Sequence, residues 1–226
     1  MPKHLKTTFS AVGLPLKLAV IILILSLAHI LVMVVHYEIS EIPWLVRELF
    51  DLDEEQSFGT WFSVVILLYA GYLLLLQAHA VRDTTGKMWI QWQILGIGFC
   101  FLSLDEMVGL HETLNSTIEF SWAIPGGLMA MVIGALYIPF LRRLPPHALW
   151  TFLLGGVIYV GGAVGVELAT EVYADEGLLD TLEYNLTTVV EEAMEMTGVV
   201  IFIHGLLRHI AGNKGERVVL DIEVGK

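Results

Sequence analysis

Asp105 and Glu106 stand at the end of the apolar run FLSLDE, and His111 and Glu112 follow within seven residues. A carboxylate at the centre of a bilayer costs roughly 2.5–3.5 kcal/mol on insertion scales, so acids inside apolar spans usually face a bundle interior and carry function. At about 100° per residue an unbroken helix puts Asp105 and Glu112 on nearly one face, with Glu106 and His111 flanking it. Two further helical stretches carry acids. Glu167 and Glu171 are four residues apart and share a face. In NLTTVVEEAMEMTG, Glu191, Glu192 and Glu195 fall within about a 100° arc together with Thr188.

Hard oxygen donors with a minority of imidazole suit metal ions, and bundle metal sites take inward-facing Glu, Asp and His from neighbouring helices. The set predicts a mono- or dinuclear centre of divalent or trivalent ions made of Asp105, Glu106, His111, Glu112, Glu167, Glu171, Glu191, Glu192 and Glu195. Iron or manganese is favoured over zinc, and a copper thiolate site is excluded. Such a centre would serve a metal-dependent oxidoreductase or hydrolase, with a spare glutamate as acid or base. Glu192-x-x-Glu195 only echoes the Glu-x-x-His units of ferritin-like bundles. His29 and His36, seven residues apart on one stripe with Met33 between, are second-rank ligands.

These residues need helices to carry them. The chain has 226 residues, is 56% hydrophobic and has a mean hydropathy of +0.71, which marks an integral membrane protein. Apolar stretches at 14–35, 61–81, 89–108, 122–141, 148–169 and 186–207 are each close to the ~20 residues that a spanning helix needs. The expectation is one all-α domain over 1–226, a bundle of six transmembrane helices. The first stretch lacks an A-x-A cleavage pattern and is read as retained. Gly161 and Gly165, at four-residue spacing, predict close helix packing and put the fifth span at the centre. The single cysteine, Cys100, excludes an internal disulfide and reads as a packing residue.

Placing loops alternately on two sides gathers every Lys and Arg except Arg47 on one side, which predicts both termini cytoplasmic. The acids gather on the other side. A net charge of −12 with no basic patch outside the membrane ends excludes nucleic acid as a partner. Between the first two spans, 38–58 reads as an outer amphipathic segment. Lying on the interface, it would leave Asp51, Asp53, Glu54 and Glu55 in water, whereas folding back would make it a lid. Asn115-Ser116-Thr117 and Asn185-Leu186-Thr187 are glycosylation triplets.

LFDLDEE followed by TWFS, then FLSLDEMVGLHE, then EEAMEMTG, resembles a family of uncharacterised bacterial multi-pass membrane proteins with LFD-x-D, S-x-DE…HE and EE…E-x-x-G patterns. The resemblance covers about residues 49–207. It implies six or so helices in a bacterial inner membrane, a functional acidic site, and a part in it for Asp51 and Asp53. Two other functions compete with the metalloenzyme. A proton- or cation-translocating protein would also carry intramembrane acids, and an accessory subunit of a larger membrane complex, or a homo-oligomer, would use an acidic face to steer a basic partner. In every case the lipid bilayer is the first partner.

Overall fold

The computed structural model describes residues 3–111, 113, 121–212 and 217–224; Glu112 and the triplet at Asn115 lie outside them. In chain order the elements are β1 (Lys3–Ser10), α1 (Gly13–Glu38), α2 (Trp44–Phe50), α3 (Phe58–Thr84), α4 (Trp89–Val108), α5 (Ala123–Leu141) and α6 (Pro146–Val160). A π-helical segment (Gly161–Val166) continues α6 into α7 (Glu167–Glu176), and α8 (Leu182–Ala211) and β2 (Arg217–Val224) complete the chain.

Local chemistry sets the ends. Ser57 caps α3 by accepting from the Thr60 N–H, and Thr181 caps α8 by accepting from the Tyr184 N–H. Pro146 occupies the first turn of α6, where its missing N–H costs nothing. Gly109, at φ +56, turns the chain out of α4.

Four helices are long and apolar enough to cross a membrane: α1, α3, α5 and the continuous Pro146–Ala174. The chain is a membrane protein by that measure. Leu23, Ile24, Leu27 and Leu31 of α1 are exposed, as are Leu128, Met131 and Leu136 of α5, and apolar patches of that extent belong against lipid. At 20 and 30 residues, α4 and α8 also have the length to span at 1.5 Å per residue.

The helices are organised around α8, which packs on α1, α3, α6, the π segment and α7, while α3 pairs with α4. The expected central position of the fifth span is therefore corrected. So is its glycine face: a Cβ on Gly165 would meet nothing within 4 Å. The close approach is made at Gly155, where a Cβ would lie 2.7 Å from the Gly198 carbonyl oxygen, and at Gly162, where it would lie 2.8 Å from that of Glu191. The reason is the π segment, whose i→i+5 bonds add about one residue to a turn and rotate the downstream face. Cys100 packs as expected, its Sγ against Gly71.

The bundle is helical throughout, but the chain ends add a two-stranded antiparallel ribbon, β1 to β2, in register from Lys3↔Val224 to Ser10↔Arg217. Its signal was alternation: Val218, Leu220, Ile222 and Val224 recur at every second position. The pairing brings the start of α1 and the end of α8 to one end of the bundle, where a ring nitrogen of His204 lies 2.9 Å from the Ala11 carbonyl oxygen. The core above is apolar. Trp92 lies edge-on to Phe140 and Phe152, and Ile203, Leu206 and Leu207 are fully buried.

Because the Gly155 to Gly198 approach leaves no room for a methyl group, Gly155→Ala should lower stability in detergent or nanodiscs by about 1–3 kcal/mol. Gly165→Ala should change it by no more than about 1 kcal/mol. Unfolding midpoints of the two variants check this pair.

Candidate functional site

At the end of the bundle away from the ribbon, the acids of α4 come first. Ser103 Oγ donates to the Val64 carbonyl at 2.9 Å and pins α4 to α3. One turn on, Glu106 lies beside the Ser63 hydroxyl of α3, which is buried. Asp105 accepts from His111 Nδ1 at 3.1 Å. That pairing depends on Gly109. Its left-handed conformation ends the helix before His111, and Glu112, expected on the face of Asp105, lies outside the described residues. The Glu55 carboxylate sits where a Gly109 side chain would be, which closes 38–58 over this corner.

On α8, Glu191 is buried and Glu192 and Glu195 are half-buried. The absence of a side chain at Gly162 lets α8 settle against the π segment, where a Cβ would come within 3.0 Å of Glu195 Cγ. Glu195 is thereby brought beside the Tyr159 hydroxyl. Glu192 interacts electrostatically with Glu195 and Glu106, and Glu191 with Glu167, Asp53 and His111. Helices α4, α7 and α8 thus bring Glu106, Glu167, Glu191, Glu192 and Glu195 together, with Asp105 and His111 at the edge. Glu171, half-buried on α7, is not among the principal partners of the α8 glutamates.

The segment 38–58 behaves differently from the expectation of a wet interfacial strip. Trp44 and Leu45 of α2 are exposed, but Leu52 and Asp51 behind them are 2% and 8% exposed. The chain folds inward there because α1 and α8 supply partners. The Leu52 N–H donates to His29 Nδ1 at 3.0 Å, and His29 Nε2 donates to the Asn185 carbonyl at 2.9 Å. Asp53 accepts from the Tyr184 hydroxyl at 2.9 Å. Burial pushes the Asp51 carboxyl up to about 6, against the lowering effects of the Asp53 N–H and Arg47. Burial also raises Asp53, with the neighbouring Asp51 adding to it.

The two histidines are accounted for by these contacts. An Nδ1 that accepts from Leu52 and an Nε2–H that donates to Asn185 leave His29 a neutral clasp with no nitrogen free for a metal. His36 Nδ1 accepts from the Ile42 N–H at 3.1 Å, and the Arg47 guanidinium lies 3.4 Å from its Nε2. A cation there is the wrong neighbour for a second cation. Asn185, read as an acceptor triplet, is 6% exposed and donates to the Thr181 carbonyl at 2.8 Å.

Among the described residues no three of His, Cys, Asp and Glu converge so as to hold a metal ion. The described side chains as placed therefore do not form a metal centre. Asp53 and Tyr159 are the functional neighbours that the spacing of the acids could not reveal. For Asp53 the LFD-x-D resemblance gave a signal, whereas Tyr159 lies in an apolar run and gave none.

A membrane-embedded helical bundle with acids enclosed at one end is thus the class that fold and site define. The chain belongs to a family described as a domain of unknown function (DUF8692), which matches residues 16–210. No curated protein and no solved structure matches it.

Asp51 should make closure of 38–58 depend on pH. A carboxyl raised from 3.8 to about 6 binds its proton more tightly in the closed state, so the contribution is present at low pH and is lost as pH rises from about 4 through about 6. At about 1.36 kcal/mol per unit it amounts to no more than about 3 kcal/mol. Unfolding midpoints should fall between pH 5 and 7.5 in the wild type, and Asp51→Asn should flatten that slope.

Proposed function

We propose that this protein is an inner-membrane enzyme with six spans and cytoplasmic termini, whose catalytic groups are the glutamates of α4 and α8 working as acid and base. The observation that carries this reading is the company kept by Glu106, Glu192 and Glu195. They face one another and the Ser63 and Tyr159 hydroxyls, and neither Lys nor Arg is among their principal partners. Carboxylates so close in a low-dielectric interior need compensating positive charge, and buried, interacting carboxyls are the groups enzymes use for proton transfer. Glu195 is the acid or base nearest a second proton-bearing group, Tyr159. Glu192 and Glu106 modulate it through their charge, and the Asp51 to Glu55 stretch excludes bulk water.

Translocation fits less well, because a pathway needs polar groups in both halves of the membrane. Below Glu195 the described core holds Phe202, Ile203, Leu206, Leu207 and Trp92, all buried. The six-span topology is supported by the one-sided Lys and Arg distribution and by the paired chain ends, which require an even number of crossings.

That neither Lys nor Arg of the described residues is among the principal partners of these glutamates also favours a second reading in which a cation, iron or manganese ahead of zinc, supplies the charge. The described side chains do not fit it, so no step is drawn through a metal.

Three measurements separate these readings. Protein purified without chelator should contain less than about 0.1 equivalent of any transition metal, and one equivalent or more would overturn the proton-compensated site in favour of the metal reading. Lipid extracts of cells expressing the wild-type chain should contain a species whose amount differs from that in cells lacking the chain, and expression of Glu195→Gln should abolish the difference; identical extracts would sink the enzymatic reading. In a Cys100→Ser background, Ser40→Cys should react with an impermeant maleimide added outside intact cells and Thr85→Cys should not.

A further inference from the structure

Next to the acids, and sharing Tyr159 with them, is a groove of about 220 Å³ between α4, α5, α6 and α8. Leu95, Phe99, Tyr137, Phe152, Tyr159 and Phe202 line it. It exists because α5 keeps its main contacts with the π segment, α6 and α7 and stands off α4. Phe99, Phe202 and Phe152 form a stacked ladder along its wall, with ring centroids 4.7 and 4.3 Å apart. One of its two polar groups is already committed: the Tyr137 hydroxyl donates to the Gln91 carbonyl at 2.9 Å and bridges α5 to α4. The other is the Tyr159 hydroxyl, beside Glu195.

A space with no free polar group inside and an acid–base pair at one mouth selects a ligand that is hydrocarbon along its length and reactive near one point. It lies midway along α4 and α6, at the depth of the bilayer's hydrocarbon, and the molecules present there are acyl chains. We propose that this groove binds the acyl chain of a lipid from the leaflet at the acidic end, the headgroup staying at that surface and the chain passing Glu195 and Tyr159 before entering the groove. The inference deepens the acid–base reading by naming its substrate class and rests on that reading for the chemistry. As a binding site it is testable separately.

The test uses full-length protein in nanodiscs of phosphatidylcholine carrying a diazirine in one acyl chain, irradiated and mapped by peptide mass spectrometry. Adducts on peptides containing Phe99, Tyr159 and Phe202 should exceed those at the lipid-facing Leu27 and Leu31 of α1 at least fivefold. A Cβ on Gly156 meets nothing within 4 Å, and the residue lines the groove, so Gly156→Trp should fill it and cut labelling to the α1 level. Ile133→Trp does the same from α5 should the first variant fail to fold, and Gly134→Trp, outside the groove, should leave labelling unchanged. Labelling no greater than at α1, or undiminished by a folded groove variant, would overturn the proposal, as would stronger labelling of the groove by a diazirine polyprenol. Glu195→Gln should keep the labelling. Retained labelling with wild-type lipid extracts unchanged by that variant would sink the enzymatic reading alone, whereas a lipid change without groove labelling would sink this inference alone.

Discussion

The backbone of α8 approaches α6 and the π segment more closely than any side chain would allow, and the rest of the molecule depends on that approach. Gly155, Gly162 and Gly198 make it possible. Lipid offers no hydrophobic drive for helix association, so close packing and interhelical hydrogen bonding must supply it. Here the approach also sets the chemistry. It presses Glu191 and Glu195 against the π segment, hands Glu195 the Tyr159 hydroxyl, and leaves α5 on the far side of the groove.

A second constraint is that an enclosed backbone polar group must find a partner. The turn at Leu52 lies 2% exposed, and its N–H is met by His29, whose other nitrogen is held by the Asn185 carbonyl. One neutral imidazole therefore ties α1, the 38–58 segment and α8 together. With Tyr184 holding Asp53, Asp51 and Asp53 are brought down toward the glutamates, while Glu54 stays exposed. The polar half of the bundle is closed by hydrogen bonds and the apolar half by aromatic packing, with Tyr159 where the two meet.

On the acid–base reading proposed above, the acids penetrate helices because groups that exchange protons with a lipid-dissolved molecule must lie beneath the surface and beside hydrocarbon. The folded-in segment would limit the water that competes for the proton. The structural cost is a set of carboxyl groups in proximity, with the hydroxyls of Ser63 and Tyr159 beside them.

The sequence by itself determined the helical membrane character, because twenty-residue apolar runs have no soluble alternative, and it located the acids of α4, α7 and α8 at one end. It also held the alternation that pairs the chain ends. What it did not carry was rotation and reach. The face that 161–166 presents depends on a π turn, and the direction of the chain after Val108 depends on Gly109 adopting a left-handed conformation; both are settled by packing against α8 and Glu55. Periodicity assumes an unbroken helix, so it gave Gly165 a close contact of the kind made by Gly155 and Gly162. His29 on its stripe had the spacing of a ligand, and only the tertiary fold, by bringing Leu52 and Asn185 to its two nitrogens, made it a clasp. Residue types fix which interactions a chain can make; which of them are made is decided by what else arrives within about 3 Å.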